Sequence, residues 1–208
     1  HPDIKVGDRY WGFYPMSNYL IVQAGNISKS GFADVSPHRL PYAPIYSQFN
    51  NIKANPFYEK AREDHDLLLR GLFLTSWLVE DFMFDNDYFG AESYVITCAS
   101  SKTSIALAFA VKQRGGKKTI GMTSEGNVEF CKDLDCYDVI ITYDQAESLD
   151  SSEAIIIVDM AGNFNAMKTL HEHFQENVKY SCKVGATHIS ALDGDLNALP
   201  GVTPAFFF

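Results

Sequence analysis

The sequence predicts an α/β protein whose larger part is a doubly wound, mainly parallel sheet of about six strands, preceded by part of a β-rich lobe. Three observations carry that expectation. From Tyr94 onward, short apolar runs rich in Val and Ile alternate with helix-length segments, the pattern of strands buried on both faces. Residues 94–113 then place a strand, a small polar turn and an alanine-rich helix in immediate succession. Before Tyr94 the chain reads as paired strands, a proline-rich loop and one long helix.

Taken in order, residues 4–13 combine a Gly7-Asp8 turn with an aromatic strand, and residues 17–23 alternate as a second strand. Residues 36–58 carry Pro37, Pro41, Pro44 and Pro56 among Tyr42, Tyr46, Phe49, Phe57 and Tyr58, which predicts an ordered loop packed on its own domain. In residues 59–84 the period changes: Leu67, Leu68, Gly71, Leu72, Thr75, Leu78, Val79 and Phe82 recur at helical steps. The expected boundary therefore separates a β lobe over 1–58 from a connecting helix and sheet domain over 59–208. Within the latter, strands are predicted at 94–98, 119–122, 138–143, 154–158, 180–185 and 204–208, and helices at 104–113, 126–132 and 164–174. No internal repeat or low-complexity tract interrupts them.

Composition excludes several classes. An apolar fraction of 46% and a charged fraction of 21% belong to a folded globular protein. The net charge of −9, with no basic cluster beyond Lys117-Lys118, predicts neither nucleic acid nor an anionic membrane as partner. No apolar run reaches transmembrane length and no signal-peptide pattern opens the chain, so a cytoplasmic location is expected. The four cysteines, Cys98, Cys131, Cys136 and Cys182, have no CxxC spacing and are expected as free thiols. Because the chain opens at His1 and stops on an apolar run, it is expected to be the middle of a longer protein.

The chemistry converges on residues 99–103. A turn from strand to helix directs free backbone N–H groups and the positive end of the helix dipole at one spot, which suits a phosphate. Ser100 and Ser101 are both N-cap candidates, and Lys102 adds a cation. Ser100-Ser101-Lys102 is one residue short of an SxxK nucleophile motif, and Lys102-Thr103 lacks the glycines of a P-loop. His171-Glu-His173 has two-residue spacing on a helix, which separates the imidazoles, and solvated residues rather than a metal pair are expected.

These residues resemble a family. Lys5-Val-Gly-Asp-Arg-Tyr-Trp-Gly is similar to the "vGDRV.G" turn of the medium-chain dehydrogenase/reductase superfamily, Leu74-Thr-Ser-Trp to its "LTAY" helix start, and Cys98-Ala-Ser-Ser-Lys-Thr-Ser to its "GASGGVG" loop. Met122-Thr-Ser-Glu-Gly-Asn with residues 130–143, Val158-Asp-Met-Ala-Gly and Val184-Gly-Ala-Thr-His resemble later blocks of the same enzymes. More narrowly, the Ser-Ser-Lys-Thr turn, residues 12–20 and the terminal Pro-Ala-Phe-Phe-Phe resemble the DUF2855 branch. The resemblance covers nearly the whole chain.

It implies a Rossmann-type sheet behind a partial GroES-like lobe, and a zinc-independent, NADP(H)-linked reductase acting on an apolar carbonyl, enoyl or quinone substrate. Thr75 would contact the nicotinamide carboxamide. Ser100, Ser101, Lys102 and Thr103 would hold the diphosphate where relatives use glycine. Thr123 and Ser124 would meet the ribose; the absence of an acid at that strand end favours NADPH over NADH. Ala161, Gly162, Gly185 and Ala186 would line the cofactor, with His188 near the substrate. Tyr14, Tyr42 and Tyr46 remain open as proton donors, and no catalytic residue or metal ligand is assigned. The expected partner is a small-molecule substrate, with a homodimer as an open alternative. A second function also stays open: a Rossmann-like ligand-binding or interaction module that has lost the dinucleotide.

Overall fold

The computed structural model describes residues 1–185 and 194–207. They divide into two units, His1–Leu68 and Leu69–Phe208. The first holds an antiparallel sheet of four short strands, β1 (Tyr10–Trp11), β2 (Ala24–Ser28), β3 (Gly31–Asp34) and β4 (Gln48–Asn51), in the order β1-β4-β3-β2. Phe49, 1% exposed, stacks on Phe32 and is met edge-on by Tyr14. A Cβ on Gly31 would collide with the Phe49 carbonyl, so the hairpin partner of β4 must be glycine there.

Two expectations fail in this unit. Residues 17–23 form no strand: Ser17 N–H donates to Pro15 O and its hydroxyl to Tyr19 O, a local turn that leaves Tyr19 and Ile21 exposed. Conversely, the proline-rich loop contains β4, which pairs with both β1 and β3. The stretch between Pro44 and Pro56 is free of proline, so every ladder amide there is available.

The second unit contains a six-stranded parallel sheet: β5 (Ser93–Ile96), β6 (Lys118–Thr123), β7 (Val139–Thr142), β8 (Ile155–Asp159), β9 (Val178–Lys183) and β10 (Ala205–Phe206). Its order is β10-β9-β8-β5-β6-β7. Chain direction across the sheet thus reverses between β5 and β8, whose carboxyl ends lie side by side. The helices are α1 (Glu63–Asp85), of which residues 69 onward belong to this unit, α2 (Lys102–Arg114), α3 (Val128–Asp133) and α4 (Phe164–Phe174).

Strand alternation sorts the core onto two faces. Tyr94, Ile96, Ile156 and Val158 pack with Val79, Met83, Leu107 and Val111 of α1 and α2. Val95, Ile155 and Ile157 pack on the opposite face with Met167, Leu170 and Phe174 of α4. Each fully buried side chain of this size contributes roughly 1.5–3 kcal/mol, so the central strands dominate the stability of the unit.

His171 and His173 are not solvated, contrary to expectation. His171 is fully buried: its Nδ1–H donates to Pro200 O at 2.9 Å, which leaves Nε2 to accept from the Ser181 hydroxyl at 2.9 Å. His173 is bonded through Nε2 to Leu149 O. Helical spacing separated the two rings correctly, but their partners, Pro200 between β9 and β10, Ser181 on β9 and Leu149 before β8, are remote residues that spacing cannot reveal. Among the described residues, no helix is long and apolar enough to cross a membrane.

Candidate functional site

The switch point is built by the turns that follow β5 and β8. After β5 the chain reverses at Cys98, which has φ +54°, the left-handed conformation that glycine adopts most readily. Ala99 N–H donates to Met122 O of β6, and Ser101 N–H to Cys98 O, closing the turn into α2. Of the two cap candidates, Ser101 caps the helix: its Oγ accepts from Ser104 N–H at 3.2 Å and lies 2.8 Å from Ser104 Oγ. Ser104 is buried and its hydroxyl donates to Thr97 O at 2.8 Å. The Ser101 hydroxyl is therefore spent on the helix itself.

What remains open is distinct. The amides of Ser100, Lys102 and Thr103 have no acceptor among the described residues, and they sit at the positive end of a 13-residue helix. Ser100 and Thr103 add hydroxyl groups and are half-buried. Lys102 is exposed, and its side chain lines a groove between α1 and α2. Ser76 of α1 steadies this first turn by donating its hydroxyl to Thr103 O at 2.7 Å.

On the other side, Asp159 ends β8 with no exposed surface. Thr97 Oγ1–H donates to its Oδ1 at 2.7 Å, Ala161 N–H donates to the same oxygen at 3.1 Å, and Met160 N–H donates to Thr97 Oγ1 at 3.1 Å. One carboxylate thus ties the ends of β5 and β8 together and shapes the turn through Ala161 and Gly162. Burial pushes its pKa up, and the bonds from Thr97 and from the Ala161 and Gly162 amides only partly offset this. Gly162 has φ +74°. Gly185 follows β9, and a Cβ there would collide with the Met160 carbonyl oxygen. Both glycines are fixed by backbone geometry.

Tyr143 and Tyr137 complete the floor. Cys98 N–H donates to the Tyr143 hydroxyl at 3.0 Å, and Tyr137 OH donates to Ala99 O at 2.8 Å. Burial raises the pKa of Tyr143 and of the Cys98 thiol, so both are neutral hydrogen-bonding groups at pH 7.

The structure brings Ser100, Ser101, Thr103, Ala161, Gly162 and Gly185 to the adjoining ends of three neighbouring strands. Thr123 ends β6 and is 1% exposed. Ser124 is exposed and accepts from Asn127 Nδ2 at 3.0 Å. The Thr75 hydroxyl donates to Gly71 O within its own helix. Ala186 and His188 lie outside the described residues. Sequence reasoning assigned no role to Thr97, Asp159, Tyr137 or Tyr143. An acid closing the fully apolar run at 155–158 was the available signal for Asp159.

A sequence model of a family described as "Protein of unknown function (DUF2855)" matches residues 1–208. The chain belongs to the DUF2855 family. No curated protein matches it. Among solved structures, a Mesorhizobium loti protein assigned as an NADPH:quinone reductase is similar with a TM-score of 0.51 at 13% identity, over 79% of the DUF2855 chain and 47% of the other. A Rhizobium etli CFN 42 protein assigned as a zinc-dependent alcohol dehydrogenase gives 0.50 at 16% identity, over 78% and 50%. The DUF2855 chain spans about half the length of each. These likenesses bear on the fold alone: a Rossmann-like parallel sheet with a small antiparallel sheet before it in the chain.

Proposed function

We propose that this DUF2855 chain is the cofactor-binding part of a zinc-independent, NADP(H)-linked reductase of medium-chain type, acting on an apolar carbonyl, enoyl or quinone compound. One observation carries the reading: the open amides of Ser100, Lys102 and Thr103 stand at a helix start beside the point where strand order reverses. The donor set fits a diphosphate, with the Ser100 and Thr103 hydroxyls replacing close backbone approach by side-chain contacts. The nicotinamide group supplies the hydride when bound. The chain's own part is to hold the diphosphate at α2 and to keep the β8 turn rigid through Asp159. Gly185 lets the chain after β9 pack directly against the Met160 carbonyl of that turn. Thr123 and Ser124 put no carboxylate at the end of β6, which supports NADPH over NADH.

A second reading, a ligand-binding module without dinucleotide chemistry, is favoured by a different observation. The first amide of the turn, that of Cys98, is already taken by Tyr143, and the Ser101 hydroxyl by the helix cap.

Thermal melting and titration with NADPH and NADH separate the two. NADPH at a hundredfold excess over its Kd stabilises by about 2.7 kcal/mol, or roughly 5–10 °C in a domain of this size. Tighter NADH binding would reverse the cofactor preference, and no shift with either dinucleotide at millimolar concentration would leave the module.

A further inference from the structure

We propose that the groove between α1 and α2 is a binding site for a medium-chain alkyl carboxylate, with the tail between Phe73 and Phe109 and the carboxylate on Lys102. The groove encloses about 280 Å³. Its walls are Leu69, Leu72 and Phe73 from α1, Ile105, Ala106 and Phe109 from α2, and Cys136; Lys102 is the single charged residue lining it among the described residues. Phe73 and Phe109 stand with ring centroids 6.3 Å apart, yet each keeps over two-fifths of its surface in solvent. Apolar surface gathered into a slot in this way is the mark of a ligand or partner site rather than of scattered surface residues.

The two ends of the slot differ in chemistry, and this difference selects the occupant. Lys102 is the first residue of α2, so its ammonium group and the positive end of the helix act together on whatever lies at that end. Phe109 follows seven residues later, two turns or about 10 Å along the helix, which matches a saturated chain of roughly eight to ten carbons. The walls between offer no polar side chain to satisfy a hydroxylated or amide-rich ligand. A single cation matches a single negative charge. In a chain of net charge −9, an anion is held only where a local positive group overrides the overall field. Ser76, which donates to Thr103 O, holds α1 against the first turn of α2 and so sets the width of the slot at its charged end.

Isothermal titration of the whole chain with decanoate, decanol and decyltrimethylammonium, each below its micellar concentration, tests the assignment. Decanoate is expected to bind at least tenfold tighter than decanol, with the ammonium compound weakest. Lys102→Gln is expected to bring decanoate down to the affinity of decanol. Ala106→Phe, which fills the groove, and Phe109→Ser, which opens it, are both expected to weaken decanoate at least tenfold; circular dichroism identifies a variant that has unfolded. Three amphiphiles binding alike would show adsorption to an apolar surface and overturn the proposal. So would an absence of decanoate binding, or a concentration-dependent dimer that Ala106→Phe dissociates, since the occupant would then be a second copy. The titrations are run without dinucleotide, because Lys102 and the start of α2 also belong to the proposed diphosphate site, and their outcome is read whether or not NADPH binds there.

Discussion

Removing the guanidinium group of Arg114 while keeping its stem, as Arg114→Met, isolates a buried ion pair of the second unit. Glu80 of α1 is 2% exposed, and its two carboxylate oxygens accept from Arg114 Nε at 2.6 and 2.7 Å. Arg114 also reaches Asp81 at 2.9 Å, and its guanidinium carbon lies 4.0 Å from the centre of the Phe84 ring. Methionine preserves much of the packing on Phe84 but leaves Glu80 charged and without its partner in the interior. Breaking a buried pair from one side costs about 3–5 kcal/mol. We take the lower end, about 3 kcal/mol, because Arg114 is partly solvated. For a chain of this length that is a fall of about 6–12 °C in Tm. The assay is urea unfolding followed by circular dichroism. Glu80→Gln added to Arg114→Met is expected to recover at least half of the deficit. A loss under 1 kcal/mol, or no recovery in the double variant, would refute the claim that Glu80 depends on this partner.

Other outcomes follow from single contacts. Gly185→Ala drives a Cβ into the Met160 carbonyl and is expected to cost at least 1–3 kcal/mol by urea unfolding, whereas Gly126→Ala, with open space around it, serves as a near-neutral control. Ser101→Ala removes the cap of α2 and is expected to cost about 1 kcal/mol, while Ser100→Ala is expected to stay within about 0.5 kcal/mol in stability and to weaken NADPH binding in a titration. Burial holds the His171 pKa below its ordinary value near 6.5, so the folded state binds fewer protons than the unfolded chain. Its contribution is complete above about pH 6.5 and is lost as pH falls from there through the folded pKa. The unfolding midpoint in urea should therefore drop between pH 7 and pH 5, and a His171→Gln variant should show a shallower slope over the same window.

Local pattern was enough for the order and type of most elements. Runs such as Ile155-Ile-Ile-Val158 are apolar throughout because both faces of a central strand are covered, and that covering is written into the residues themselves. The helix predicted at 164–174 forms at Phe164–Phe174, and the structure adds Asn163 as its cap. Patterning failed where the deciding partner is remote: residues 17–23 alternate but find no strand to pair with, and β4 hides among prolines until β1 and β3 flank it.

The candidate site divides along the same line. Sequence alone determined that a small polar turn joins a buried strand to a helix at residues 99–103, because turn chemistry and helix capping are local. It could not choose between Ser100 and Ser101, nor find the contacts of Asp159 with Thr97 across 62 positions, of Tyr143 with Cys98 across 45, or the burial of His171. Only the tertiary structure decided these. A hydroxyl or carboxylate has no fixed partner along the chain, and its role is settled by which neighbouring strand end the sheet order brings within hydrogen-bond distance.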